Sequence, residues 1–382
     1  MNGFWGVAIK RAPWALVAVG VTGLAIAALL RPDQAGAAAG QDWPPFILVT
    51  GLLLIGFVAD EDGLFEAAGH ALARMATNGL LFFVGTTVLV ATVTALLNLD
   101  TAVAFLTPVL IYAARRRGQG EVALLYGCVL LANAGSLLLP GSNLTNLIVL
   151  GHLHLSGAQF FRRMALAWLV SVAITSLVVG VADRRSLRAP ATEVTEGHRP
   201  ALGIGLISVM AATAAVVVLR QPALAVLAIG LVSLGWRARA VKGRGHDVYA
   251  VLSLPILVGL FATAVALGTL GRAWSGPSDA FSHLDMWTTA FAAAGSTVVV
   301  NNLPAASLLA AKVPAHPLAL LVGLNVGPNL SVTGSLAWVL WYRSARNAGA
   351  TPRIAQALKL GLIAAPLAIA CAVWTLTLNG GH

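Results

Sequence analysis

The sequence predicts an all-α polytopic membrane protein made of two inverted-topology repeats, each holding a re-entrant helical hairpin and a discontinuous transmembrane helix. Three observations predict it. The 382 residues are 58% hydrophobic and only 10% charged, whereas soluble domains carry roughly 25% charged residues. The net charge of +10 sits in short clusters between apolar runs, RRR at 115–117, RAR at 237–239 and KGR at 242–244. Such clusters mark cytoplasmic loops and give no reason to expect nucleic acid as a partner. Finally, NLDTAVAFLTP followed by LLANAGSLLLPGSNLTNLIVL is echoed by NNLPAASLLAA followed by LVGLNVGPNLSVTGSLAWVL. In each half an Asn-bearing tip precedes a long apolar segment interrupted by Gly, Pro, Ser and Asn.

Uncharged runs near 13–30, 43–59, 122–151, 164–182, 201–219, 221–236, 248–271, 313–342 and 360–380 are long enough for helices that cross about 30 Å of hydrocarbon. The first reads as a span and not a cleaved signal, because its AGAAAG stretch follows Arg31 and Asp33. The segment EDGLFEAAGHALARM at 61–75 has apolar residues at helical spacing beside charges, so it is expected flat on the cytoplasmic interface. Trp43, Trp236, Trp287 and Trp341 fall at run ends and read as interfacial anchors.

Two further runs, 75–114 and 286–311, fit neither one span nor two. The first is expected as an inward-opening hairpin, 78–114, turning at Asn98-Leu99-Asp100. Its second arm, Thr101 to Ala114, would cover about 21 Å, too little to cross. The second is expected as an outward-opening hairpin, 286–312, because a plain span there would strand Arg343, Arg346, Arg353 and Lys359 on the outer face. With both runs re-entrant, eighteen of the 24 basic residues lie inside, and the N-terminus is cytoplasmic. Interrupted helices follow at 121–156 and 314–342. The first repeat then covers 1–182, the second 221–382, and 183–220 holds a polar linker and the odd helix that inverts the second half.

Tips and broken helices meeting at mid-membrane would gather Asn98, Asp100, Thr101, Ser142, Asn143, Thr145, Asn146, Asn301, Asn302, Asn325, Asn329, Ser331, Thr333, Gly334 and Ser335. Irregular backbone at that depth is tolerated only in protein or along a cavity, and paired interruptions in two halves point to a solute site. The set is amides, hydroxyls and helix ends, with no Lys or Arg to hold an anion. Asp100 is the acid flanked by long apolar runs on both sides. Ionised at the bilayer centre it would cost roughly 2.5–3.5 kcal/mol, which makes it the candidate proton-coupling group. Sodium ligation suits the same oxygens equally well, and the residues do not separate the two. His152 and His154, two apart, point to different helix faces. The sequon Asn143-Leu144-Thr145 lies at membrane depth, and Cys128 and Cys371 lie in apolar runs. No cofactor, metal site or nucleophile–base pair is expected.

The stretches NLDTAVAFLTPVLIYAARRRG, LPGSNLTNLIVL, VVNNLPAASLLAA and GLNVGPNLSVTGSLAWVLWYRSAR resemble the motifs of ArsB-type arsenite/antimonite efflux permeases. Those belong to a superfamily that includes sodium-coupled dicarboxylate symporters and sodium/proton antiporters. The resemblance spans about 45–378 and implies a scaffold and a transport part in each repeat, a homodimer and an elevator-like shift in an inner (plasma) membrane. It further implies proton-coupled export of arsenite and antimonite, in some systems with a cytoplasmic ATPase subunit. Asp100 corresponds to the acid of the family's first tip, flanked here by Leu99 and Thr101. Asn301-Asn302-Leu303-Pro304 matches the second tip, and Asn325 stands where the family has an acid. The alternatives within the superfamily are a sodium-coupled anion or dicarboxylate transporter and a sodium/proton antiporter.

Overall fold

The computed structural model describes residues 2–378 apart from 77, 119, 152, 154, 189–202, 220, 238–247, 250–251, 253 and 275. His152, His154, most of the linker, and the basic residues at 239, 242 and 244 lie outside the described residues. Among the described residues all regular structure is helical. The first half runs α1 (Asn2–Leu30), α2 (Pro32–Glu61), α3 (Leu64–Met75), α4 (Gly79–Leu96), α5 (Leu99–Arg116), α6 (Val122–Gly135), a 3-10 turn (Pro140–Ser142), α7 (Leu144–Leu150), α8 (Gly157–Ala182) and α9 (Arg184–Leu187). After α10 (Ile204–Val218) the second half runs α11 (Ala223–Arg237), α12 (Leu254–Ala273), α13 (Gly276–Ser282), α14 (Met286–Val300), α15 (Asn302–Leu309), α16 (Pro317–Val326), a 3-10 turn (Gly327–Leu330), α17 (Ala337–Asn347) and α18 (Ile354–Leu378). Five of these helices, α2, α4, α8, α12 and α18, are long and apolar enough to cross a membrane. Among the described residues each of the nine expected runs overlaps a helix, and the apolar stretches Trp14–Leu30, Val122–Gly135, Ile204–Val218, Ala223–Arg237 and Pro317–Leu330 are shorter than those five.

The order of elements repeats, and so does the packing. Helix α1 lies against α12, while α11 lies against α2. Both crossings are made by glycine. A Cβ on Gly51 would come 2.7 Å from Leu227 N and one on Gly230 would come 2.8 Å from Gly51 O. A Cβ on Gly259 would come 2.9 Å from Val17 N and one on Gly20 would come 2.5 Å from Gly259 O. Small residues let backbones approach where lipid offers no hydrophobic drive between helices. Likewise α5 packs on α17 and α15 packs on α7, so the return arm of each hairpin lies on the second piece of the other half's broken helix.

Three details differ from the sequence reading. The first hairpin turns at Leu97-Asn98, and α5 has 18 residues, not fourteen. The reason is local: the Asn98 side chain accepts from Thr101 N at 2.7 Å and starts the helix at Leu99, while Arg115 and Arg116 continue it. Arm length therefore does not by itself prevent α5 from crossing; its N-terminal end is buried in protein. The first break comes at Ser136–Asn143, five residues ahead of the expected GSNLTN: α6 ends at Gly135, and the 3-10 turn that follows opens with Pro140, which has no N–H to rejoin a helical ladder. Trp341 is not an interfacial anchor. It is fully buried, donates Nε1–H to Leu125 O at 2.7 Å and stands edge-on to Trp338. Trp43, Trp236 and Trp287 are exposed.

Candidate functional site

Four helices begin at one place. The N-terminal ends of α5, α7, α15 and α17 surround a small crevice lined by Leu99 and Asp100, by Asn143 and Leu144, by Asn301, Asn302 and Leu303, and by Ser335 and Leu336, with Leu260 of α12 closing it. Each of the four motifs thus supplies one wall. A helix start exposes backbone N–H groups that lack intrahelical partners and carries partial positive charge. Three of the starts are capped by asparagine. Asn98 Oδ1 accepts from Thr101 N at 2.7 Å, Asn143 Oδ1 from Thr145 N at 3.3 Å and Asn301 Oδ1 from Leu303 N at 3.3 Å.

The two hairpin tips are held differently. At the second, Asn302 N donates to Gly334 O at 2.8 Å and Asn301 Nδ2 to Thr333 O at 2.9 Å, while Thr333 Oγ1 donates to Val298 O at 3.0 Å. Asn301 has φ 75° and ψ 151°, a region almost confined to glycine, so these bonds hold a strained turn in place. At the first tip, Asp100 Oδ1, Asn98 Nδ2 and Thr101 Oγ1 are buried with no hydrogen-bond partner. Buried polar atoms are nearly always paired, and these three unpaired ones fall within a single turn at one helix start.

Behind the crevice lies a polar frame that is fully buried. Asn325 Oδ1 accepts from Asn143 Nδ2 at 2.6 Å and Thr145 Oγ1 at 2.5 Å, and its Nδ2 donates to Asn146 Oδ1 at 2.6 Å. Asn146 Nδ2 and Ser142 Oγ both donate to Ser136 O and Leu139 O, the free carbonyls of the first break. In the second break, Asn329 accepts from Asn133 Nδ2 at 2.9 Å and donates to Leu130 O at 3.0 Å. Ser335 Oγ donates to Asn133 Oδ1 at 3.2 Å. Of the residues singled out from sequence, Asp100, Asn143, Asn301, Asn302 and Ser335 line the crevice. Ser142, Thr145, Asn146, Asn325 and Asn329 sit in the frame, Thr333 and Gly334 dock the second tip, Ser331 bonds to Thr333 Oγ1 at 2.6 Å, and Asn98 and Thr101 lie under the first tip.

Sequence reasoning missed Asn133 and Leu260. Asn133 was legible as an amide one turn before the first break; Leu260 is an ordinary apolar residue of α12 and carried no signal. It also missed Asp42, which is 1% exposed on α2 with both oxygens unpaired. The crevice lining contains no Lys, Arg or His. Among the described residues no group of three His, Cys, Asp or Glu side chains could hold a metal ion.

Comparison with known proteins adds the family. The citrate transporter family, CitMHS, matches residues 5–342. The chain belongs to that family. Curated relatives include the arsenical pump membrane protein of Escherichia coli, 24% identical over 337 residues that cover 78% of each chain. The arsenical pump membrane protein of Yersinia enterocolitica is 25% identical over 78% of each. The inner membrane protein YbiR of Escherichia coli K12 is 26% identical over 81% of this chain and 82% of that one. Among solved structures, the YdaH transporter of Alcanivorax borkumensis, described as having an unusual topology, superposes with a TM-score of 0.56. It shares 14% identity and the match covers 97% of this chain and 98% of that one, which establishes a shared fold. This member of the citrate transporter family is a multi-pass membrane transporter and not an enzyme.

Proposed function

We propose that the protein exports arsenite and antimonite as neutral trihydroxides, exchanging them for protons at Asp100 through an elevator-like shift of the hairpins and broken helices against a scaffold that includes α2 and α12. The observation that carries this reading is the crevice itself. It offers amides, a hydroxyl, four helix starts and one carboxyl, with no basic side chain. A multiply charged carboxylate such as citrate would face Asp100 without a counter-cation, whereas a small trihydroxide can donate to Asp100 and accept from the helix starts. Asn143, Asn301, Asn302 and Ser335 would touch the solute. The remaining polar residues, Asn98, Thr101, Ser142, Thr145, Asn146, Asn325, Asn329, Thr333 and Gly334, would hold those groups in position. A proton arriving from outside neutralises Asp100 and favours release; its departure to the cytoplasm restores the binding state.

The balance of basic residues supports a cytoplasmic N-terminus, while a homodimer and a cytoplasmic ATPase subunit rest on the resemblance to arsenite permeases alone. The four convergent helix starts and the family's own name favour a second reading, a sodium-coupled anion or dicarboxylate transporter. Accumulation in everted vesicles under an imposed pH gradient separates them, with arsenite and antimonite beside sodium and succinate. The proposal expects uphill arsenite movement that Asp100→Asn uncouples from the gradient. Arsenite export by Asp100→Asn with unchanged gradient dependence would refute the coupling role, and sodium-stimulated succinate uptake would favour the second reading.

A further inference from the structure

A second carboxyl is buried away from the crevice, at the seam between α2 and the base of the second hairpin. Gln41 and Asp42 sit side by side on α2. Gln41 Nε2 donates to Ile148 O at 3.2 Å and to Ala310 O at 3.4 Å, carbonyls at the C-terminal ends of α7 and α15. Those ends have no intrahelical donors of their own. Gln41 Oε1 in turn accepts from Arg272 Nη2 of α12, whose Nη1 donates to Gly268 O at 2.9 Å. The seam is tight, since a Cβ on Gly271 would come 2.6 Å from Leu308 O and 2.8 Å from Ala311 Cβ. So two helices, α2 and α12, grip through a single amide the ends of α7, the second piece of the first broken helix, and of α15, the return arm of the second hairpin.

Asp42 adjoins this grip without taking part in it. It is 1% exposed, and neither of its oxygens is met by a well-aligned hydrogen bond. Arg272 is its charged neighbour, and α15 turns the Ser307 hydroxyl towards it. Burial without a well-aligned donor disfavours the ionised carboxylate, and the guanidinium beside it offsets this only in part, so the arrangement is that of a neutral acid. Once ionised, the carboxylate competes with Gln41 for the guanidinium beside it. Drawing Arg272 away removes the group that orients the Gln41 amide on its two carbonyls.

We propose that Asp42 is a second proton-binding group that latches α2 and α12 onto the ends of α7 and α15 when protonated and frees them when ionised. This rests on the reading that the hairpin and broken helix move against those two helices. The latch lies apart from the crevice and needs no solute, so it can be tested without one. Ala311 is 7% exposed in the seam. The test uses the full chain in liposomes without arsenic, with Cys128 and Cys371 replaced by alanine and Ala311→Cys as reporter. Maleimide labelling is normalised at each pH to the unfolded variant. With Asp42 present, labelling should be roughly tenfold faster at alkaline than at acidic pH, as expected for the loss of two hydrogen bonds. Asp42→Asn should label slowly at both, and Gln41→Leu rapidly at both. Because the two variants move in opposite directions, general loosening cannot imitate the pair. An undiminished pH response in Asp42→Asn, or a Gln41→Leu seam as closed as its parent, would overturn the latch, whereas absence of arsenic export would leave it standing.

Discussion

The two hairpin tips carry similar text and make opposite use of it. At the second tip, Asn301 and Asn302 are tied to Thr333 and Gly334 of the adjacent break, and a strained backbone is held by those bonds. At the first tip, Asn98 caps α5, yet its amide nitrogen, the Asp100 carboxyl and the Thr101 hydroxyl have no protein partner. The difference teaches that convergence of helix starts builds the cradle, while the unmet hydrogen bonds gather at the first tip and not at the second. One tip is a docked wall; the other, on the proposed function, is the edge that meets solute and proton.

The largest effect should come from the frame that both tips lean on. Asn325→Leu leaves Asn143, Thr145 and Asn146 without their shared partner. Each buried orphan costs about 1–3 kcal/mol, so a loss of roughly 3–6 kcal/mol and poor folded yield are expected in a thermal melt in detergent. Next comes the strained tip. Asn301→Ala keeps the unfavourable backbone and loses two side-chain hydrogen bonds, which should cost about 2–4 kcal/mol; Asn301→Gly relaxes the backbone and should lie within about 1 kcal/mol of the parent. Equal losses in the two variants would show that strain is not what the second tip stores. At the first tip, Asn98→Ala removes one cap bond for about 1 kcal/mol of stability, a smaller loss than at Asn301.

The smallest effect tests an end of the second hairpin far from its tip. Asp285 caps α14, and the backbone N–H and hydroxyl of Thr288, with Trp287 N–H, hold its carboxyl below the usual carboxylate value of 3.8. A carboxyl lowered on folding contributes above its unfolded pKa and loses that contribution as pH falls through its folded one. The melting temperature of the parent should therefore drop slightly more on acidification below about pH 4 than that of Asp285→Asn.

Much of this organisation was legible because bilayer physics is severe. The apolar run from Met286 to Ala311 could not be one span without stranding four basic residues outside, and α14 and α15 do turn at Asn301. Asp100 stood out because nothing else charged lies near it in sequence. The division between lining and frame was not legible, since Asn143 and Asn146 are the same amide at the same depth and differ only in what their neighbours already supply. Asp42 hid for another reason. The small-residue stretch AGAAAG ahead of it lies outside the expected run 43–59, yet it is helical, and Ala38 packs where Gly268 has no side chain. A helix extended by packing carried an acid into the protein where hydropathy placed an end. Trp341 was misread for lack of the same information, its indole N–H finding Leu125 O inside the protein.

The most direct measurement of the contrast between tips is proton release on solute binding, followed with a pH indicator in weakly buffered, purified protein. Arsenite added to the parent, and to Asn301→Gly, should displace protons because binding requires the Asp100 carboxyl in its ionised form, while Asp100→Asn should displace none. Equal proton release from Asp100→Asn and the parent would contradict the assignment of the first tip as the reactive edge.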